Sequence, residues 1–158
     1  MSEGRKVNRG GNCEWYTPRS ILSQLEYEFG TFELDPAALN RDVAVAPDFY
    51  TPEQNGLYLP WAPRRVFLNP PYGDKVIGLW MDKALTESQL GALVVCLVPA
   101  YVGSGWWHDL VIGKAEVRFI RGRLVFGRPN ADKRGDAPFD SAIVIYRPRG
   151  AFGSLHES

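Results

Sequence analysis

The sequence lacks the long apolar runs and leader features that mark membrane and secreted proteins. No uninterrupted apolar segment approaches 18 residues, so no membrane span is predicted. The first dozen residues are polar and rich in glycine, which argues against a signal peptide and predicts a flexible segment at residues 1–12. The expected location is the cytoplasm.

Cysteine is scarce. The chain has two, Cys13 and Cys96, which lie far apart, and Cys96 falls within an apolar run. A buried, reduced thiol is therefore favoured over a disulfide or a zinc site, and no metal is expected.

The chain also lacks a net charge of either sign. Its 18 basic and 18 acidic residues balance, so only the distribution of charge can indicate a polyanionic partner. With 158 residues, 45% of them hydrophobic, the chain suits one globular domain. We expect that domain at residues 13–148 and a frayed tail at 149–158. The sequence does not predict the oligomeric state.

Helical and strand patterns alternate along the chain. Thr17 is expected to cap a helix that has Pro18 at its first position and continues through residues 19–30. Further helices are predicted over 74–90 and 104–112. Strands are predicted over six segments: 32–34, 66–68, 92–100, 117–120, 123–126 and 141–146. The alternation predicts an α/β sandwich, with a mostly parallel sheet and helices on both faces.

One strand ends in an unusual way. Val66–Leu68 is followed by Asn69, Pro70, Pro71 and Tyr72, where the carboxyl end of a strand would face a ligand crevice. The prolines stiffen the turn, so the Asn69 side-chain oxygen and the Pro70 carbonyl form a rigid pair of acceptors beside an aromatic ring. Such a pair suits an exocyclic amine, whose lone pair it would localise while Tyr72 stacks on the base. The alternative is an ordinary proline-rich turn.

Asn69-Pro70-Pro71-Tyr72 resembles the catalytic motif of amino-group methyltransferases that use S-adenosylmethionine. Further blocks are similar to the bacteriophage and prophage Dam-type DNA N-6-adenine methyltransferases, with matching order and spacing from about residue 13 to 147. These blocks are Glu14-Trp15-Tyr16-Thr17-Pro18, Phe32-Glu33-Leu34-Asp35-Pro36-Ala37-Ala38, Asn55-Gly56-Leu57 with Trp61, and Arg121-Gly122-Arg123-Leu124-Val125-Phe126.

The resemblance implies a minimal Rossmann-like class I methyltransferase in a bacterial host cell. Its methyl donor would be S-adenosylmethionine, its product S-adenosylhomocysteine and its partner DNA. The target would be the N6 amine of an adenine turned out of the duplex. The implied catalytic residues are Asn69, Pro70, Pro71 and Tyr72.

The resemblance places the donor against two of these blocks. Thr17 opens a helix, which favours a carboxylate, and Asp35 ends the first strand, where it can bind an ammonium group. Ala37 and Ala38 replace the glycine-rich turn of most methyltransferases. Asp42 and Asp48 are both candidates for the ribose hydroxyls. The expected donor-binding residues are Tyr16, Thr17, Pro18, Asp35, Pro36, Ala37, Asp48 and Asn55.

A local excess of basic residues between Lys114 and Arg134 favours contacts with DNA phosphates, although it could be an ordinary solvated face. Phe126 or Phe139 could support the flipped base from its second side. The expected nucleic-acid-binding residues are Arg121, Arg123, Phe126, Arg128, Lys133 and Arg134.

Two alternatives remain open at the level of sequence. The acceptor could be cytosine N4, RNA adenine or a protein glutamine, because the four-residue motif alone does not distinguish these amines. The chain could instead be a catalytically silent DNA-binding module. The flanking blocks and the basic segment favour DNA, and the small size predicts a short or loosely read site.

Overall fold

The computed structural model describes residues 16–73, 75–125 and 138–149. The helices are α1 (Arg19–Phe29), a 3-10 helix (Gly56–Tyr58), α2 (Val76–Gln89) and α3 (Gly105–Leu110). The strands are β1 (Leu34–Asp35), β2 (Asp48–Phe49), β3 (Arg65–Leu68), β4 (Leu93–Pro99), β5 (Glu116–Phe119) and β6 (Ser141–Tyr146).

The strands form one six-stranded sheet in the order β2-β1-β3-β4-β6-β5. The four strands β2, β1, β3 and β4 are parallel, whereas β6 is antiparallel to both β4 and β5. This confirms the predicted α/β architecture. The strand order reverses between β1 and β3, because β2 lies on one side of β1 and the later strands lie on the other. Such a switch point opens a crevice beyond the carboxyl ends of the two strands.

β4 forms the centre of the core. Six of its seven residues are buried, as its continuous apolar sequence predicted. Cys96 lies on this strand as a free, fully buried thiol, and burial raises its pKa. The predicted buried cysteine is confirmed, whereas Cys13 lies outside the described residues.

α1 matches its predicted range to within a residue and buries Leu22 and Leu25. The predicted start of this helix is wrong. Pro18 occupies the N-cap position instead of the first helical position, and no side-chain hydrogen bond caps the helix. The hydroxyl of Thr17 is directed elsewhere, towards Asn69.

The strand predicted at 123–126 is also wrong in its described part. Of residues 121–125, only Val125 forms a bridge. The ladder of β5 ends where the Ile120 N–H donates to the Ser141 carbonyl, and Gly122 then turns the chain with a φ of 76°.

Glu87 is a buried carboxylate that the sequence did not reveal. It holds the segment before β3 in place. Glu87 on α2 accepts the backbone N–H groups of Trp61 and Ala62 at 2.9 and 2.8 Å and pairs with Lys83 at 2.6 Å. Burial opposes ionisation of Glu87, but these partners outweigh it and lower its pKa. Glu87 thereby joins α2 to the polypeptide that leads into β3.

The described part of the chain contains no helix that is long and apolar enough to cross a membrane. The segments predicted to be flexible or frayed, 1–12 and 149–158, lie outside the described residues apart from Arg149, so these domain limits stay predictions.

Candidate active site

A cleft opens at the switch point between β1 and β3, with about 590 Å³ of empty space that includes its mouth. It unites four parts of the chain: the approach to α1, the end of β1 with the loop after it, the segment after β2, and the end of β3. The residues that line it are Tyr16, Thr17, Asp35, Ala37, Ala38, Leu39, Val43, Val45, Pro52, Asn69, Pro70 and Pro71. Seven of these were predicted from sequence as donor-binding or catalytic residues.

Asp35 supplies the charge of this cleft. It is only 6% exposed, and its carboxylate accepts the N–H groups of Ala37 at 3.3 Å and Val45 at 3.0 Å. Burial raises the pKa of Asp35 to about 6, against the opposing effect of these two hydrogen bonds. The described lining contains no lysine or arginine, so a bound cation would stabilise the ionised form of Asp35.

Asn69 follows β3 and is held at both ends of its side chain. Its Nδ2 donates to Thr17 Oγ1 at 3.0 Å, and its Oδ1 accepts from the Tyr72 hydroxyl at 2.9 Å. The same hydroxyl lies 3.1 Å from the Leu97 carbonyl on β4. The carboxamide is therefore fixed between α1 and β4.

Tyr72, the fourth predicted catalytic residue, is not among the residues that line this cleft, and it is only 8% exposed. Its ring meets Phe139 edge-on at 5.5 Å, and Phe139 in turn meets Tyr101 at 5.9 Å. Phe139 is thus packed between two tyrosines. Whether the Tyr72 ring stacks on a base stays a prediction.

A second crevice lies beside Tyr72, between the segments that follow β3 and β4. Tyr101, which is 45% exposed, and Lys75 contribute to its lining. Aromatic faces and a cation at this position suit a nucleotide, whose base stacks and whose phosphate is anionic.

Other predicted donor-binding residues lie outside the cleft lining, so their roles stay predictions. The exposed Asp48 side chain lies 3.7 Å from Arg64. Asn55 caps the 3-10 helix by accepting the Leu57 N–H, with a φ of 61°. Pro36 packs its carbonyl against Gly56. Pro18 heads α1, and Asp42 likewise falls outside the lining.

Sequence reasoning missed the apolar part of the cleft, formed by Leu39, Val43, Val45 and Pro52. Val43 lies in a turn that is closed on the Asn40 carbonyl and Val45 in a bend, so neither a helical nor a strand pattern marks these residues in the sequence. Nothing local indicated that this loop folds back over Asp35.

The predicted basic surface divides into paired and exposed residues. Arg118 binds Glu28 through two nitrogens, at 2.6 and 2.8 Å, and also pairs with Glu116. Arg123 lies 3.8 Å from Asp140 and is about half exposed, whereas Arg121 is exposed. Phe126, Arg128, Lys133 and Arg134 lie outside the described residues. Within the described ranges, no cluster of histidine, cysteine or acidic residues could hold a metal.

The strand order and the cleft at its switch point are those of a Rossmann-like methyltransferase fold. Comparison with known proteins narrows this class to one family. The chain belongs to the DNA N-6-adenine-methyltransferase (Dam) family, whose model matches residues 6–156.

Two phage proteins illustrate the relationship. The DNA N-6-adenine-methyltransferase of Haemophilus phage HP1 is 28% identical over 148 residues, which cover 91% of this chain and 84% of that protein. The DNA N-6-adenine-methyltransferase of Escherichia phage T1 is 32% identical over 111 residues, or 70% of this chain and 45% of that protein. The chain thus spans less than half of the T1 enzyme.

Membership of the family confirms the relationship that the sequence blocks predicted. It also confirms the predicted activity, methylation of adenine N6 in DNA, and so implies a methyl donor and a DNA substrate.

Proposed function

We propose that this chain transfers a methyl group from S-adenosylmethionine to the N6 amine of adenine in DNA, using the cleft between β1 and β3. One observation carries the proposal. The buried Asp35 at the end of β1 and the fixed Asn69 at the end of β3 line the same cleft. The cleft thus contains the Asp35 carboxylate, which can bind a cation, and the Asn69 amide oxygen, which can accept a hydrogen bond from an amine.

The residues on the β1 side fit the donor. Asp35 would bind its ammonium group, and the head of α1, with Tyr16 and Thr17, favours a carboxylate. Val43 and Val45 offer apolar contacts to the rest of the molecule. When bound there, S-adenosylmethionine supplies an electrophilic methyl group on a sulfonium sulfur. Asp48 and Asn55 are not needed for this part of the proposal.

The residues on the β3 side fit the acceptor. The Asn69 oxygen and the Pro70 carbonyl would accept the two N–H bonds of the adenine amine, so its lone pair is drawn out of conjugation with the ring. An amide oxygen can accept two hydrogen bonds, so the bond from Tyr72 is compatible with one from the amine. Asn69 is not a base, and the surplus proton of the methylated amine leaves to water.

The adenine would have to leave the duplex, since its N6 atom is inaccessible to a recessed cleft while the base is stacked. The crevice beside Tyr72 supports this part of the proposal, because its lining includes Tyr72, which binds Asn69, and the aromatic side chain of Tyr101. Phe139 would stiffen the Tyr72 side of this crevice from behind.

The assignment is tested by incubating unmethylated DNA with the protein and labelled S-adenosylmethionine, followed by nucleoside analysis. Label on N6-methyladenine is expected. Label on N4-methylcytosine, or on added RNA or protein instead of DNA, would contradict the proposal. Failure to bind S-adenosylhomocysteine, with DNA binding intact, would identify a silent DNA-binding module.

The role of Asn69 is tested by Asn69→Ala. Turnover should fall by at least a hundredfold while the Kd for S-adenosylhomocysteine changes little, because the cofactor contacts remain. Gln24→Ala is the matched control, since Gln24 is an exposed amide on α1 and lies outside the cleft lining. Substantial turnover by Asn69→Ala would refute the role assigned to the carboxamide.

A further inference from the structure

The Asn69 carboxamide lies between two hydroxyl groups from distant parts of the chain. Thr17, 52 residues earlier, accepts its N–H at 3.0 Å, and Tyr72, three residues later, donates to its oxygen at 2.9 Å. The single proton of the Tyr72 hydroxyl is shared between this oxygen and the Leu97 carbonyl, which lies 3.1 Å away. The two ends of the amide therefore have different partners.

The orientation of this amide matters for chemistry. Its two ends have almost the same size, but the oxygen accepts hydrogen bonds and the nitrogen donates them. An amine must meet the oxygen if its N–H bonds are to be accepted. In a reversed carboxamide the Nδ2–H groups would face the N–H groups of the amine. No hydrogen bond would form, and the lone pair of the amine would stay delocalised into the ring.

Thr17 occupies a position from which it can set that orientation. Its hydroxyl makes no capping hydrogen bond to α1, because Pro18 is the N-cap residue and no side-chain cap is formed. Thr17 instead lines the cleft beside Asn69. The Thr17 hydroxyl thus lies next to the start of α1 but binds the Asn69 side chain at the end of β3.

We infer that Thr17 is a positioning residue for methyl transfer. Its Oγ1 accepts the Nδ2–H of Asn69 while Tyr72 donates to Oδ1, and the two bonds together keep the Asn69 oxygen turned towards the substrate amine. This inference deepens the proposed function and rests on it, because it assumes that Asn69 is the acceptor of the amine. It adds a role in the chemical step to a residue that the sequence assigned to helix capping and donor binding.

The first test compares two substitutions at position 17. Thr17→Val keeps the shape of the side chain but removes the acceptor, and kcat should fall at least tenfold. Thr17→Ser keeps the hydroxyl and should retain kcat within about threefold. Because Thr17 also lines the donor cleft, the Kd for S-adenosylhomocysteine should rise by less than the loss of kcat in Thr17→Val. The midpoint of thermal unfolding of both variants should stay close to that of the parent protein.

Two results of this comparison would overturn the inference. One is a Thr17→Val variant with unchanged kcat. The other is a loss of S-adenosylhomocysteine affinity as large as the loss of kcat, which would mean that Thr17 acts through the donor or the fold.

A second test uses the chemistry of a carboxylate. In Asn69→Asp both oxygens of the side chain are acceptors, so no orientation has to be selected. The tenfold effect of Thr17→Val should shrink to about twofold or less in the Asn69→Asp background, measured as single-turnover rates. An equal loss in both backgrounds would show that Thr17 does not act by orienting the amide.

The Asn69→Ala and Thr17→Val variants together distinguish failure of the proposed function from failure of the inference about Thr17. Turnover that survives Asn69→Ala would remove the proposed function and the inference together. An inactive Asn69→Ala variant with a fully active Thr17→Val variant would remove only the inference.

Discussion

At the scale of single residues, the cleft contains two polar side chains that the fold removes from water, Asp35 and Asn69, and they are hydrogen-bonded in different ways. Asp35 is buried and accepts only neutral N–H groups from Ala37 and Val45, so its ionised form lacks a full counterpart. A bound cation would supply the positive charge that the ionised Asp35 carboxylate lacks. The Asn69 amide, by contrast, has defined partners at both ends.

The raised pKa of Asp35 predicts a pH dependence of ligand binding. The ionised carboxylate binds an ammonium group, and with a pKa of about 6 it is mostly ionised at pH 7 and mostly protonated at pH 5. Affinity for S-adenosylhomocysteine should therefore be constant near pH 7 and fall by roughly tenfold at pH 5. Isothermal titration calorimetry between pH 5 and 7 measures this profile.

Asp35→Asn provides the control for that profile. The amide does not ionise, so its affinity should be low and nearly independent of pH over the same range. A parent protein whose affinity does not change between pH 5 and 7 would show that Asp35 does not bind the ammonium group.

At the scale of elements, the end of β1 is supported by the 3-10 segment behind it. A Cβ atom built on Gly56 would lie 2.2 Å from the Pro36 carbonyl oxygen, which belongs to the backbone and cannot rotate away. Trp61, fully buried, donates its Nε1–H to the Gly56 carbonyl at 2.9 Å. With Glu87 holding the backbone of Trp61, α2 is connected to the residue that follows Asp35.

Gly56→Ala should therefore disturb both stability and binding. The added methyl group has to displace backbone, which lowers the free energy of unfolding by about 1–3 kcal/mol. Affinity for S-adenosylhomocysteine should fall as well, because Pro36 directly follows Asp35. Denaturant unfolding and calorimetry measure the two effects.

Gly103→Ala is the matched substitution for that experiment. A Cβ atom at Gly103 would meet nothing within 4 Å, so the change in stability should stay within about 0.5 kcal/mol. Equal behaviour of the two variants would show that the contact between Gly56 and Pro36 does not support the cleft.

At the scale of the whole molecule, a chain without net charge has to bind a polyanion through local surfaces. The structure separates basic residues that the sequence could only group together. Arg118 is engaged by Glu28 and Glu116, and its guanidinium lies 5.7 Å from the Phe29 ring. Arg118 thus connects β5 to α1, whereas Arg121 is exposed and no ion pair of it is found among the described residues.

This difference predicts opposite outcomes for two arginines that lie three residues apart. Arg121→Gln should weaken DNA binding and reduce the slope of log affinity against log salt by about 1, since a phosphate contact is lost. Arg118→Gln should leave that slope unchanged and lower the thermal midpoint. Fluorescence anisotropy with labelled duplex DNA at several salt concentrations measures the slopes, and an unchanged slope for Arg121→Gln would exclude it as a phosphate contact.

The sequence by itself determined the layout of the fold and the two residues most important to the proposal. Periodicity placed α1, α2 and β4, because an amphipathic or fully apolar pattern reflects local burial. The position of Asp35 and Asn69 at the ends of strand patterns predicted that both face a crevice, since the carboxyl ends of parallel strands lie on one edge of the sheet.

Only the tertiary structure decided how these residues are held. The bonds from Thr17 to Asn69 and from Glu87 to Trp61 join residues 52 and 26 positions apart, so no local pattern encodes them. The same holds for the pairing of Arg118 with Glu28 across 90 positions and for the loop that folds Val45 over Asp35. Sequence fixes which groups are available, whereas packing of the chain decides which of them meet, because hydrogen bonds depend on ångström distances that only the folded chain sets.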